Sequence, residues 1–422
     1  MGLGEGLYYS GRYDMAQLKI KGTRLERLQV NINYSEDKSW LGGSIYLDNL
    51  LKTLASLPID ERPVIKVNRA APLLPQTPTC SGDNDLAGDA KPGLIKRIYR
   101  RLPLPEGIRG RVRRIKRTEV KEKSVNLPHI NFPVVWAAPD DPAAVYWIPD
   151  FQHVHLPEFF QPSEIESRNK IHREVSQCNG ILVLSSQTAM NDFNSLYPNA
   201  RVRPRRWSFC SHLTIEAGNP VFDIRSSYDL PEKYLYVPNQ FWAHKDHITV
   251  FQALKILHDQ GMRLDIVCTG YQADSRNPLY FQNIMEYVTD NGLGSQVRVL
   301  GVVPREHQLE VFRHAAAVVQ PSLFEGWSTV IEDAKAVGRP IVASDFPVHL
   351  EQLEGMDRVW FFKRSASKEL AGLLRAIWPE LRPGPDLEAE AKAVENTEVR
   401  RLHSGREFMR IVTEAADLAY NV

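Results

Sequence analysis

The sequence predicts an α/β protein built from two parallel-sheet domains, and three observations carry that prediction. Short apolar runs typical of buried strands alternate with helix-length segments along most of the chain. The chain has 422 residues, too many for one ordinary hydrophobic core but suitable for two domains of about 200 residues each. A polar, irregular stretch from Phe209 to Pro231 lies near the middle and is the candidate linker.

The composition favours a globular protein without a membrane span. Apolar residues make up 43% of the chain and the formal net charge is +1. The sequence has no apolar run of about 18 residues, and its N-terminus lacks the basic and apolar regions of a signal peptide. We therefore expect a cytoplasmic protein. The four cysteines lack metal-ligand spacing, so we expect buried free thiols at Cys80, Cys178, Cys210 and Cys268.

The first predicted strand runs from Arg27 to Ile32, and a helix opens at Leu41 and continues through Leu54. Gly42 and Gly43 stand at the start of this helix. The order of strand, glycine turn and helix is typical of the beginning of a nucleotide-binding half. A Gly-Gly pair by itself fits an ordinary turn equally well.

A second strand–helix unit begins with the apolar run from Ala144 to Ile148, which is followed by Asp150, His153 and His155. Ligands of open α/β sheets bind beyond the ends of such strands, so these three side chains are candidates for a site. His-x-His also resembles a metal-ligand pair, but no third ligand is identifiable. A hydrogen-bonded structural histidine remains an equal alternative at either position.

The second half opens with the strand Tyr234 to Pro238, and strands and helices then alternate through the run Ala317 to Val319. Lys245 lies between the first strand and the following helix, where its ammonium group can reach a diphosphate in the interdomain cleft. Taken alone, it fits a solvated surface lysine better. The last predicted helix spans about Ser404 to Tyr420.

The stretch from Pro321 to Asp345 reads as loop, helix, tight turn and buried strand. Glu325 and Gly326 precede the helix, and Ser328 or Thr329 can cap its first turn. The free backbone N–H groups of a helix start bind phosphate readily. Glu325 then lies beside that phosphate and can hydrogen-bond sugar hydroxyls. This arrangement indicates nucleotide-sugar binding.

The same stretch resembles the signature of the retaining glycosyltransferases of family 4, which have the GT-B fold. The shared landmarks are Pro-Ser, Glu-Gly-aromatic-small, a second carboxylate eight residues after the first, Ala-x-Ala-x-Gly-x-Pro and Ala-Ser-Asp. By register the second carboxylate is Asp333. Glu332 is its rival, since adjacent helical residues point about 100° apart and only one of them can face the ligand.

The resemblance implies a set of site residues. His153, Asp150 and Glu325 are the catalytic candidates, with His153 first and His155 behind it on the N-terminal side. The candidates for donor binding are Gly42, Gly43, Gln240, Lys245, Gly326, Trp327, Ser328, Thr329, Val330 and Asp333. The chain departs from the family at three places: Gln240 stands where an Arg is usual, Asp333 stands where a Glu is usual, and Pro149 replaces the His of a His-Asp pair.

The implied activity is transfer of a hexose from a nucleoside diphosphate sugar to a glycan or lipid-linked acceptor, with retention of configuration. Front-face attack assisted by the leaving diphosphate needs positioning and charge neutralisation, and neither a cofactor nor a divalent metal is expected. Neither cleft segment contains an Asp-x-Asp. The alternatives are a non-catalytic subunit that binds a sugar nucleotide or polyanion, a sugar-nucleotide epimerase, and a glycogen-synthase-like polymerase of the same fold.

A basic segment covers residues 91–123, with thirteen Lys and Arg against three Glu, a net charge of +10. Apolar residues interleave with the charges, which suits the anionic face of a membrane and predicts peripheral attachment at the inner face of the plasma membrane. Nucleic acid is a less favoured polyanion, and a solvated insertion is the plainer alternative.

The predicted organisation is an N-terminal Rossmann-like, acceptor-side domain over residues 1–215 that contains the basic insertion, and a nucleotide-sugar-binding domain over residues 232–400. The resemblance implies that residues 401–422 form a helix that crosses back to the first domain.

Overall fold

The computed structural model describes residues 28–33, 41–68, 127–213 and 223–420. Within these ranges the chain forms two six-stranded parallel sheets with helices around them. The predicted α/β class with two parallel sheets is therefore confirmed. Cys178, Cys210 and Cys268 are buried free thiols, as expected, while Cys80 and the basic segment 91–123 lie outside the described residues.

The N-terminal sheet has the strand order β2-β1-β3-β4-β5-β6. Its strands are β1 (Gln29–Asn33), β2 (Val64–Asn68), β3 (His129–Val134), β4 (Ala144–Ile148), β5 (Ile181–Leu184) and β6 (Arg203–Arg206). The central strands β4 and β5 are buried at every residue, which explains why their sequences are continuous apolar runs. The helices of this half are α1 (Leu41–Ser56), α2 (Gln152–His155), α3 (Pro162–Ser176) and α4 (Gln187–Leu196).

The C-terminal sheet has the strand order β12-β11-β10-β7-β8-β9. Its strands are β7 (Tyr234–Val237), β8 (Asp265–Cys268), β9 (Val297–Val299), β10 (Ala317–Gln320), β11 (Ile341–Ser344) and β12 (Val359–Phe362). The helices here are α5 (Ile224–Tyr228), α6 (His247–Asp259), α7 (Tyr280–Asp290), α8 (Arg305–His314), α9 (Thr329–Ala336), α10 (Pro347–Leu353) and α11 (Ser367–Ile377).

The last helix, α12 (Leu387–Tyr420), belongs to both halves. It begins well before Ser404, where the sequence predicted its start. Gly338 of the C-terminal half lies so close to α12 that an added Cβ would be 2.5 Å from the Ala389 carbonyl oxygen. Further along, Phe408 is fully buried in the core of the N-terminal half, and Trp207 Nε1 donates to the Ser404 carbonyl at 2.9 Å. The helix thus crosses from one core to the other.

The order of the strands determines where a ligand site can form. Strands β7 and β10 are neighbours in the C-terminal sheet although 79 residues, 238–316, separate them in sequence. The chain reverses its direction of sheet building between them, and such a switch point opens a crevice beyond the carboxyl ends of the strands. The loop after β7 carries Lys245 and the loop after β10 carries Glu325, so the fold brings both segments to this crevice.

Candidate functional site

The centre of the candidate site is an ion pair between Lys245 and Glu325. Lys245 Nζ lies 2.6 Å from Glu325 Oε1, and the two side chains are only 14% and 11% exposed. Gln320 Nε2 donates to the same carboxylate oxygen at 2.8 Å. Because the pair is largely shielded from water, its electrostatic attraction is weakened less by solvent than that of a surface pair.

Helix α9 begins directly beside this pair. Ser328 is its N-cap, and the Ser328 Oγ accepts a hydrogen bond from the Ile331 amide. The side-chain oxygen of Gln352 accepts from the Ser328 amide at 2.9 Å. The next amides, those of Thr329 and Val330, occupy the first turn, where a helix offers N–H groups without intrahelical acceptors. Both the capping and the helix start match the sequence-based interpretation.

The two adjacent carboxylates of α9 have different partners. Asp333 Oδ1 accepts from Arg305 Nη2 at 2.6 Å and from Ser211 Oγ at 2.6 Å. Burial raises the pKa of Asp333, although Arg305 and Ser211 favour the charged form. Asp333 is therefore held between the start of α8 and the segment that follows β6.

Glu332, by contrast, is 1% exposed and accepts hydrogen bonds from Arg400 of α12 and from Gln352 of α10. Its carboxylate pairs with Lys335 Nζ at 2.9 Å and with Arg400 Nη1 at 2.9 Å. Arg400 comes from α12, whereas Lys335 lies one turn further along α9 and also donates to the Gln352 carbonyl at 3.0 Å. Asp333 thus joins the crevice side of α9 to Arg305, whereas Glu332 joins the helix to the crossing helix.

Gln240, which stands where an Arg was expected, is bound to the neighbouring loop. Its Oε1 accepts from the Tyr271 amide at 2.7 Å, which leaves the side-chain NH2 group to donate. The position therefore offers neutral hydrogen-bond donors and no positive charge.

On the N-terminal side, the candidates have local partners. Asp150 Oδ1 accepts from the Gln152 amide at 2.9 Å and so opens the short helix α2. His153 is 1% exposed, and its Nε2 lies 3.0 Å from Asn169 Oδ1 of α3. Burial lowers the pKa of His153. Its ring also lies 5.2 Å from that of His172, so it belongs to a buried histidine pair between α2 and α3.

His155 is the histidine that contacts the opposite half. Its ring centroid lies 5.3 Å from that of Phe324. Its Nε2 lies 2.8 Å from Asp192 Oδ2, and this hydrogen bond raises the pKa of His155.

The Glu-Gly-Trp turn touches the N-terminal half directly. A Cβ on Gly326 would be 2.5 Å from the Pro149 carbonyl oxygen, so no larger residue fits without movement. Trp327 Nε1 donates to the Phe209 carbonyl at 3.0 Å. Gly326 thus lies against the strand end that carries Asp150, and Trp327 is held to the segment that follows β6. Gly42 and Gly43 lie in the first turn of α1.

Sequence reasoning missed four polar residues of this network: Ser211, Arg305, Gln320 and Gln352. Gln320 had a readable signal, because it is a polar residue at the end of the apolar run Ala317 to Val319 and directly precedes Pro321. The other three come from distant segments, and their contacts depend on packing that no local pattern records.

The described residues contain no group of three or more His, Cys, Asp or Glu side chains that could hold a metal ion. In the same part of the chain, no helix is both long and apolar enough to span a bilayer.

Comparison with known proteins gives one family-model match. Residues 223–380 match the family model described as Glycosyl transferases group 1. The match covers most of the C-terminal half, including Lys245, Glu325 and Asp333. No curated protein is significantly similar in sequence.

Among solved structures, a glycosyltransferase from Rickettsia africae superposes with a TM-score of 0.56 at 12% identity, covering 92% of this chain and 99% of that one. Anabaena Alr3699/HepE in complex with UDP and glucose gives a TM-score of 0.50 at 17% identity, covering 66% of this chain and 72% of that one. At such identities the likeness shows the fold alone. The predicted GT-B arrangement of two Rossmann-like domains is confirmed.

Proposed function

We propose that the chain is a retaining glycosyltransferase that moves a hexose from a nucleoside diphosphate sugar to a glycan or lipid-linked acceptor. The observation that carries the proposal is the buried pair of Lys245 and Glu325 beside the start of α9, at the switch point of the C-terminal sheet. A cation and free helix amides suit a diphosphate, and a carboxylate suits sugar hydroxyls. The group 1 match over residues 223–380 and the HepE complex with UDP and glucose support the same donor class.

In this proposal the protein positions two substrates and stabilises the charge that develops on the leaving diphosphate. Lys245 and the first amides of α9 would neutralise that charge, while the Gln240 side chain donates neutral hydrogen bonds. Glu325 would hold hydroxyls of the donor sugar, and Asp333 would lie near the ribose. Gly42 and Gly43 would approach the phosphates from the other half. The proposal requires neither a metal nor a cofactor.

Asp150 and His153 remain the proposed catalytic contacts of the N-terminal side. Asp150 follows strand β4 and lies against Gly326, which supports a place near the donor sugar. His153 has one ring nitrogen, Nδ1, without a hydrogen-bond partner among the described residues. That atom is available to a ligand group, or to water, if α2 moves on binding.

A thermal-shift screen against UDP-, GDP-, ADP- and dTDP-sugars tests the proposal, because a ligand that binds the native state raises its stability by mass action. We expect one nucleotide to stabilise the protein, and we expect Lys245→Ala and Glu325→Ala to remove the shift. Product anomers identified by NMR should retain the donor configuration. Stabilisation without transfer or hydrolysis would instead identify a non-catalytic binding subunit, and an unchanged melting temperature with every donor would contradict the proposal.

For the basic segment 91–123 we propose attachment to an anionic membrane surface, which would put the enzyme at the cytoplasmic face near lipid-linked acceptors. Each Lys or Arg near such a surface contributes about 1 kcal/mol, so a net charge of +10 is ample. Flotation with phosphatidylglycerol vesicles should recover the full chain but not a variant lacking residues 91–123. Equal recovery of both proteins, or release of the full chain from the vesicles by duplex DNA at low concentration, would contradict attachment to the membrane through residues 91–123.

A further inference from the structure

The end of strand β10 holds a buried amide that connects several parts of the candidate site. Gln320 is a polar residue, yet it is fully buried at the end of a strand whose other three residues are apolar. Its Oε1 accepts from Asn239 Nδ2 at 2.8 Å. Its Nε2 donates to Glu325 Oε1 at 2.8 Å and to Ser328 Oγ at 2.9 Å. One side chain thus joins the end of β7 to both the carboxylate and the cap of α9.

The chemistry of its partners fixes the orientation of this amide. The Asn239 NH2 group can only donate, and the Glu325 oxygen that also faces the Lys245 ammonium accepts. A flipped Gln320 amide would face one oxygen with another oxygen and one NH2 group with another. The surrounding groups therefore permit one orientation, and the amide cannot exchange its roles without breaking buried hydrogen bonds.

The consequence falls on the two oxygens of Glu325. Oε1 receives Gln320 Nε2 and Lys245 Nζ. Oε2 has no hydrogen-bond partner among the described residues. Because both protein donors converge on Oε1, the side chain is held in one rotamer and Oε2 is left to accept from a ligand.

We propose that Gln320 is a positioning residue for recognition of the donor sugar. It would act through Glu325 by presenting Oε2 to a sugar hydroxyl, and through Ser328 by keeping the start of α9 in register with that carboxylate. This inference rests on the proposed function, since the ligand of Oε2 is a hydroxyl of the transferred sugar. Asn239 completes this chain of hydrogen bonds by donating to the Gln320 side-chain oxygen.

Gln320→Met keeps the volume of the side chain and removes all three hydrogen bonds. Calorimetry with UDP-glucose and with UDP, or with the matching pair for the base that gives the largest thermal shift, separates the sugar from the diphosphate. We expect affinity for the nucleotide sugar to fall about tenfold to a hundredfold, the usual worth of a hydrogen bond to a charged group. Affinity for the nucleoside diphosphate should fall much less, because that ligand would not contact Glu325 and α9 keeps both its Ser328 cap and the bond from the Ser328 amide to Gln352.

Gln320→Glu supplies a signature that a purely structural role would not give. At neutral pH the introduced carboxylate repels Glu325, and donor affinity should fall. At lower pH the two carboxyl groups share a proton, and the protonated one donates as the amide did. Donor affinity of this variant should therefore recover as the pH falls from 7.5 toward about 5, relative to wild type at each pH.

Equal losses of affinity for the sugar nucleotide and the diphosphate in Gln320→Met, or no recovery of Gln320→Glu at low pH, would overturn the positioning role. A donor-independent measurement keeps the two proposals apart. Melting temperatures of wild type, Gln320→Met, Glu325→Met and the double variant form a cycle, and contacting residues should give non-additive shifts. Additive shifts in melting temperature would show that Gln320 and Glu325 do not act together and would overturn the positioning role. A wild type that binds no nucleotide sugar refutes the proposed function while this cycle still decides whether Gln320 holds Glu325.

Discussion

Two groups of segments line the interdomain crevice, and their side chains differ in character. The C-terminal edge consists of the loops after β7 and β10 with the start of α9, and the N-terminal edge consists of the segment after β4. On the C-terminal edge, two largely buried carboxylates pair with cations, Glu325 with the largely buried Lys245 and Asp333 with Arg305, whose side chain is 45% exposed. On the N-terminal edge, Asp150 binds a backbone amide and His153 is a buried histidine held by an amide side chain. Charge suited to a polyanion is thus concentrated on one edge. The other edge contributes shape and close contact.

The largest expected effect comes from removing the cation of the C-terminal edge. Lys245→Met leaves Glu325 partly buried without its ion partner and takes a positive charge from the proposed diphosphate site. Donor turnover should fall about a hundredfold to a thousandfold, as when one preorganised donor of a charge-stabilising site is lost. Steady-state kinetics with the best donor measure it.

The matched control is Lys255→Met. Lys255 pairs with Asp259 on the outer face of α6, and such exposed pairs contribute little. An equal loss of turnover in both variants would show that the charge asymmetry between the edges has no bearing on the donor.

The next comparison lies within α9. Glu332→Gln breaks the pairs with Lys335 and Arg400 and should lower the free energy of unfolding by about 1.5–3 kcal/mol, with donor affinity retained. Asp333→Asn should lower donor affinity about tenfold, because Asp333 faces Arg305 on the crevice side. Chemical denaturation and calorimetry measure the two quantities. The opposite assignment of effects would make Glu332 the ligand-facing carboxylate.

Gly326→Ala tests the close approach of the two edges. The new Cβ would meet the Pro149 carbonyl oxygen at 2.5 Å, so the turn or the strand end must shift. Overpacking of this kind costs about 1–3 kcal/mol. We expect turnover to fall more than donor affinity, measured as kcat against KM. Gly372→Ala, where an added Cβ meets open space, is the control. An active Gly326→Ala enzyme would mean that the edges separate during turnover.

The smallest effects concern pH, and one histidine beside each edge, His349 and His155, should contribute to stability with opposite sign. Burial lowers the pKa of His349, under the C-terminal edge, to about 4. As the pH falls below 6.5 the unfolded chain takes up the proton first, so this stabilisation is complete above pH 6.5 and is lost toward pH 4. His155 has a raised pKa because of Asp192. Its stabilisation is complete below its unfolded pKa and is lost as the pH rises through the higher folded value.

Denaturation of His349→Asn and His155→Asn between pH 4 and 8 measures both terms. His349→Asn should flatten the acid side of the stability profile, by about 1.4 kcal/mol for each unit of pKa difference removed. His155→Asn should lose stability near pH 6 and little at pH 8, by less than about 1 kcal/mol because the pair is partly exposed. Profiles that change in the same direction would contradict the contrast.

The sequence was informative wherever one segment determines its own structure. Buried strands such as β4 and β5 need no distant information, and Ser328 caps α9 because its own helix supplies the donor. The start of α12 was missed because the charged residues after Leu387 are helix-prone without showing where the helix begins. The partners of Asp333 were out of reach since Arg305 and Ser211 approach from two other segments. Gln320 shows the limit most plainly, because its polarity was visible but its three partners depend on rotamers and on the pairing of β7 with β10.

The crossing of α12 also bears on how the chain is made. Phe408, Ile411 and Val412 complete the core beneath the first sheet, so part of that face stays uncovered until the ribosome has synthesised residues far beyond the second sheet. At about 1.5 Å per residue, the 34-residue helix spans about 50 Å. The N-terminal half is therefore synthesised first but keeps some apolar surface exposed until α12 has been synthesised. Protection by a chaperone during that interval would then matter more for the N-terminal half than for the C-terminal half.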